Sequence, residues 1–155
     1  MSQYLTFFLG GHELALPLLE VRQIIEHVEP TFVPHLPPAI RGVINLRGTL
    51  VPVADLAQRF GLLPQPATRT TCIVVVDAPA VGLLGLLADA VHDVAEIDPA
   101  AVLATPDFGT AVSQDDLLGV AELQGKLVLL LDTKKVLTPE ELLAAARAPQ
   151  EAVPA

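Results

Sequence analysis

Apolar and polar positions along the chain are spaced for strands far more often than for helices. Leu5, Phe7 and Leu9 alternate with Thr6 and Phe8, which suits a strand with one buried face. Thr71-Cys72-Ile73-Val74-Val75-Val76 is a β-branched run of the composition strands favour. Residues 42–46 and 49–54 form two apolar stretches separated only by Arg47-Gly48, the pattern of two strands joined by a tight turn. Asp55 then suits the N-cap of a short helical turn, because its carboxylate can accept from free backbone N–H groups, and Gly61 suits its end.

The same pattern returns later. Gly42-Val43-Ile44-Asn45-Leu46-Arg47-Gly48-Thr49-Leu50-Val51-Pro52-Val53-Ala54-Asp55 aligns without gaps on Gly119-Val120-Ala121-Glu122-Leu123-Gln124-Gly125-Lys126-Leu127-Val128-Leu129-Leu130-Leu131-Asp132, with seven of fourteen positions identical. Upstream, Leu14-Ala15-Leu16 followed by Val21 and Ile24 resembles Leu84-Gly85-Leu86 followed by Val91 and Val94. Shared Gly, Gly and Asp, beyond the apolar matches, identify an approximate repeat over 3–61 and 71–137.

Short strands with regular Gly and Pro punctuation predict an all-β fold with small helical inserts. A repeated unit of roughly 60–70 residues is the size of a small barrel. Two packed barrels are therefore expected within a single domain at 1–140, with room for strands to be exchanged between the lobes. One true helix is expected at the end. Thr138-Pro139-Glu140-Glu141 combines a capping Thr, Pro at the first helical position and Glu three residues after the cap. Residues 141–155 would be the end of this short C-terminal helix and a flexible tail, frayed from Pro149 onward.

Composition narrows the class. Apolar residues make up 52% of the 155 residues, yet aromatics are only 4% and Trp is absent, so Val, Leu and Ala must fill the interior. The most apolar stretch, residues 81–88, is far shorter than the ~20 residues a spanning helix needs, and no secretory signal is expected. With one cysteine, Cys72, no internal disulfide can form, which suits a reducing cytoplasm. The net charge of −9 argues against nucleic acid as the main partner. All of that excess lies in residues 71–155, and a surface so polarised can orient protein partners.

Catalytic and metal chemistry finds no support. None of His12, His27, His35 and His92 pairs at zinc-ligand spacing, and His92 beside Asp89 and Asp93 reads as a solvated face. Residues 119–126 superficially resemble a phosphate loop, but five residues separate the glycines and Leu127 stands where Ser or Thr would hold magnesium. Ser2 and Ser113 lack a nucleophile context, and Cys72 reads as a small buried hydrophobe. The expectation is a binding protein with no catalytic residue, no metal site and no cofactor.

Residues 33–61 carry a resemblance to a known family. Ile40-Arg41-Gly42-Val43-Ile44-Asn45-Leu46-Arg47-Gly48, followed by Val51-Pro52-Val53 and Asp55-Leu56, closely resembles the most diagnostic stretch of CheW-like domains. The likeness extends over roughly 4–137, with residues 18–24 similar to the family's early helical turn. It implies a pair of packed SH3-like five-stranded barrels acting as a non-catalytic adaptor between methyl-accepting chemotaxis-type receptors and a CheA-type histidine kinase. The implied receptor-binding groove comprises Val21, Gly42, Arg47, Val91 and Val94, and the implied kinase-binding face Gln23 and Ile24. Implied partners are the CheA regulatory domain, the cytoplasmic receptor tip and other CheW-like domains in array rings. Neither nucleic acid nor direct membrane insertion is implied; the protein would be cytoplasmic and recruited to receptor arrays. Leu14-Ala15-Leu16-Pro17 departs from the family's aromatic-Gly-Ile pattern, and Gln23 stands where many members carry Glu. From the residues alone, a free-standing purine- or peptide-binding module and an enzyme with an unfamiliar site stay open.

Overall fold

The computed structural model describes residues 2–63, 65–103 and 117–151. Ten strands make two five-stranded sheets. In chain order they are β1 (Ser2–Leu9), β2 (His12–Pro17), β3 (Val21–Glu26), β4 (Ile40–Leu46), β5 (Thr49–Ala54), β6 (Cys72–Ala78), β7 (Gly82–Ala88), β8 (Ala90–Ile97), β9 (Leu117–Leu123) and β10 (Lys126–Leu131). A short helix, α1 (Leu56–Phe60), follows β5, and α2 (Pro139–Glu151) closes the described chain.

Strand order is β8-β1-β2-β10-β9 in one sheet and β3-β6-β7-β5-β4 in the other. Matching β1–β5 with β6–β10 turns one order into the other, so the repeat is a structural one. The repeats are nevertheless not the barrels. The first barrel takes its strands from residues 2–17, 90–97 and 117–131, and the second takes its strands from within 21–88, between the first two of those pieces. Each repeat thus lends its first two strands to the other's sheet.

Each sheet wraps its own apolar cluster. Ala15, Ile97, Ala121, Val128 and Leu130 fill one barrel, and Ile44, Val51, Val53, Ile73 and Val75 fill the other. A third and larger cluster lies between the barrels and draws Leu5, Phe7, Leu14 and Leu16 from one and Val74, Val76, Leu84 and Leu86 from the other. β6 faces the barrel interior with Ile73 and Val75 and the inter-barrel cluster with Val74 and Val76. That double burial explains why its sequence is a continuous apolar run without alternation. Each large side chain removed from water here contributes roughly 1.5–3 kcal/mol.

Local chemistry behaves as the residues predict. Arg47-Gly48 and Gln124-Gly125 turn the β4–β5 and β9–β10 hairpins with all four residues at positive φ, the two-residue turn that matches strand twist. Asp55 Oδ1 accepts from Ala57 N and Gln58 N at the start of α1, and Gly61 ends it at φ 69°. Asp132 Oδ1 accepts from Lys134 N at the matching place in the second repeat. Thr138 and Glu141 exchange backbone-to-side-chain bonds of 2.8 and 3.1 Å, closing the capping box of α2.

Two local expectations need correction. Helical geometry at residues 18–24 is confined to the 3-10 turn Leu18–Glu20; Val21 onward pairs antiparallel with β6, where β-branched Val21, Ile24 and Ile25 suit a pleated surface. The terminal helix also runs past Pro149 to Glu151 rather than fraying there, because Ala145 and Ala148 are fully buried. Ala148 packs with Val33 and Val43, holding the last turns down despite the proline. Residues 152–155 lie outside the described chain.

Candidate functional site

Residue by residue, the expected surface positions divide into five settings. Val21 and Val91 occupy equivalent places, β3 and β8 of the two repeats, and both are half-buried against the inter-barrel cluster. Val21 lies opposite Val76 and Val91 opposite Phe7. Ile24 and Val94 are likewise equivalent, and both turn outward at 44% and 43% exposure. Gln23 follows a β-bulge on β3 and projects to the opposite face from Ile24, with half-buried Ile25 two residues on. Gln23 and Ile24 thus point to opposite sides of β3.

Gly42 is buried, beneath Pro30 and Thr31, where Thr31 exchanges two backbone hydrogen bonds with Val43 of 2.7 and 3.0 Å. A Cβ at Gly42 would overlap the Thr31 carbonyl group. At this place the glycine allows a close backbone approach. Arg47 lies five residues further along the hairpin, about 16 Å away at strand spacing, on the exposed tip. It holds φ 54° while Asn45 Oδ1 accepts from Gly48 N at 2.8 Å, which fixes the turn that carries the guanidinium. Leu46 beside it packs on the same cluster as Ile25.

Polar side chains on these strands pair with distant partners. Arg22 Nη2 lies 2.7 Å from Asp77 Oδ2, and at the equivalent place in the other barrel His92 Nδ1 lies 2.6 Å from Glu13 Oε2. The His92 ring also stacks at 5.0 Å from Phe8. These two cross-strand pairs, which sequence spacing could not reveal because their partners lie 55 and 79 residues apart, frame β3 and β8.

A cleft of about 400 Å³ opens where the β1–β2 turn meets α1, with Leu9, Arg41, Asp55, Leu87 and Asp89 among its lining. Its Asp55 is already committed, capping α1 and receiving Arg41 Nη1 at 3.1 Å. Among the described residues no group of three His, Cys, Asp or Glu is placed to hold a metal. Burial pushes the Cys72 thiol above its ordinary value, with Asp89 adding to the effect against a hydrogen bond from the Val91 backbone. A thiol so held is a packing group rather than a nucleophile. No helix in the described chain is long and apolar enough to cross a membrane.

Three comparisons bear on this arrangement. A family model described as the CheW-like domain matches residues 3–141. Chemotaxis protein CheW of Rhizobium meliloti is 30% identical over 143 residues, spanning 92% of each chain. Chemotaxis protein CheW of Klebsiella aerogenes is 29% identical over 141 residues, 91% of this chain and 84% of the relative. Among solved structures, the scaffolding protein TtCheW from Thermoanaerobacter tengcongensis superposes with a TM-score of 0.82 at 27% identity over 90% of each chain.

Proposed function

This chain belongs to the CheW-like domain family, and from that premise we propose that it is a non-catalytic scaffold coupling chemotaxis-type receptors to a CheA-type histidine kinase. The observation that carries the reading is the family-model match across both barrels, residues 3–141, together with a relative aligned over 92% of each chain that is itself a chemotaxis protein. The proposed partners are the kinase regulatory domain, the cytoplasmic tip of a methyl-accepting receptor and other CheW-like domains. The proposed location is the cytoplasm, at receptor arrays.

Within this reading Arg47, on the hairpin tip, is the polar anchor of the receptor groove. Its planar fork can make two parallel bonds to a carboxylate or to helix-end carbonyls, which a lysine could not copy. Val21 and Val91 supply the apolar seam, Val94 its rim, and Gly42 shapes the strand that carries Arg47. Ile24 is the outward apolar contact for the kinase, with Gln23 acting from the opposite face of β3. An amphipathic receptor helix is a suitable guest for such a shallow apolar surface with one fixed cation.

A binding assay against a purified CheA regulatory domain, followed by kinase autophosphorylation with and without receptor, tests the proposal. Saturable kinase binding and an effect on autophosphorylation only when receptor is present are expected. Nucleotide hydrolysis that persists through repurification would overturn it.

A further inference from the structure

The first barrel cannot be completed by one continuous stretch of chain. Its strands β8, β9 and β10 come from residues 90–131, while the two in the middle, β1 and β2, come from residues 2–17. β1 pairs with β8 from Ser2↔Ile97 to Phe8↔Ala90, and β2 pairs with β10 at Leu14 and Ala15. Remove the hairpin and two strand edges are left open, together with the cavity that Leu5, Phe7, Leu9, Leu14 and Leu16 fill. This hairpin's register fills that gap, and every copy of the chain carries one.

The hairpin is joined to the remainder by a single 3-10 turn, Leu18–Glu20. The residues on either side are already extended, Pro17 at φ −54° and ψ 126° and Val21 at φ −83° and ψ 123°. Straightening three residues would make β2 and β3 one strand from His12 to Glu26 and carry the hairpin away from its own barrel. The turn is lightly held. None of its residues is fully buried, Leu19 is 93% exposed, Leu18 packs half-buried on the cluster between the barrels, and its hydrogen bonds include Val21 N to Leu18 O and Thr133 Oγ1 to Glu20 Oε2.

The other crossing between barrels, at Asp89, is held differently. Asp89 N donates to Phe8 O, its Oδ2 accepts from Gly10 N, and its own carbonyl accepts from Thr70 Oγ1, all between 2.8 and 2.9 Å. Two of these three bonds are made to the hairpin itself, so a second copy's hairpin would restore them.

We propose that β1–β2 is an exchangeable arm, and that two copies of this chain form a dimer in which each arm completes the other's barrel. All contacts but those of the turn are common to both forms, so the balance is set by the turn and by concentration. The tethered arm competes at an effective concentration in the millimolar range, so exchange is favoured where copies crowd together. The proposal does not rest on the scaffold reading.

Gln3 and Glu96 are exposed and directly opposed in the β1–β8 register, so a disulfide between them reports where the arm sits. The double variant Gln3→Cys with Glu96→Cys, refolded when dilute, establishes that the position links within one chain. Two single variants, Gln3→Cys and Glu96→Cys, are then unfolded together in urea and refolded at millimolar concentration. A disulfide-linked pair containing one of each is expected, well above what either variant gives alone. In parallel, deleting Leu18 and Leu19 should convert the folded chain to a dimer by light scattering. A mixed refolding that yields no more linked dimer than the separate variants overturns the proposal, whether or not the deletion variant folds.

Discussion

Gly42 and Gly119 hold the same structural position in the two barrels. Each opens its hairpin after a β-bulge, at φ 147° and 157°, and each lies under a short segment bridged to the next residue, Thr31 to Val43 and Leu103 to Val120. Where Gly42 meets the Thr31 carbonyl, Gly119 meets Val102 and the Leu103 carbonyl oxygen, which a Cβ would approach to 2.7 Å. Backbone cannot yield as a flexible side chain can. Gly42→Ala and Gly119→Ala should each lower stability by roughly 2 kcal/mol or more, read from the urea midpoint. A substitution at Gly42 that weakened receptor binding without touching stability would contradict this structural role.

Arg47→Ala should leave the melting temperature near wild type, since an exposed tip residue contributes little to the fold. Receptor-tip affinity should fall by about tenfold or more while kinase binding survives. Parallel titrations with the two partners check this, and equal loss for both, or loss for neither, would remove Arg47 from the receptor groove.

On β3 the two kinase-face positions should separate. Ile24→Asp places a charge on the outward face and should weaken binding to the kinase regulatory domain without unfolding the barrel. Gln23→Ala, on the other face, should have the smaller effect on that affinity. Calorimetric titration of both variants gives the comparison, and a reversed order would move the kinase contact to the Gln23 side.

Glu141 has two tasks, closing the capping box on Thr138 and lying 3.2 Å from Arg59 Nε, which joins α2 to α1. Thr138→Ala should cost about 1 kcal/mol. Glu141→Ala should cost more, because it also leaves the largely buried Arg59 without this carboxylate. Chemical denaturation of both variants reveals the order.

Cys72 should resist thiol reagents in the folded protein and react on unfolding. Its folded pKa lies above the ordinary 9.0 because burial disfavours the thiolate. Its contribution to stability is therefore complete below the unfolded value and declines as pH rises through it toward the folded one. Cys72→Ser should flatten that alkaline decline in a pH series of urea midpoints.

Much of this protein is written in short-range chemistry. The two Gly-closed hairpins, the Asp55 and Asp132 turns, the Gly61 stop and the Thr138–Glu141 box each depend on residues within a few positions of one another, so sequence alone determined them. The repeat was legible for the same reason, as was the family carried by residues 40–56. Tertiary structure alone decided which sheet each strand joins. Strand β1, with Leu5, Phe7 and Leu9 on one face, would offer the same apolar stripe to either barrel, and its distant partner β8 lies some 80 to 95 residues away, as β10 lies about 115 from its partner β2. The face on which Gln23 and Ile24 sit was equally hidden, because a bulge between Val21 and Gln23 resets the alternation only once β6 is in place. Gly42 shows the same limit: its motif marks it as important, but only the arrival of Thr31 above it says why.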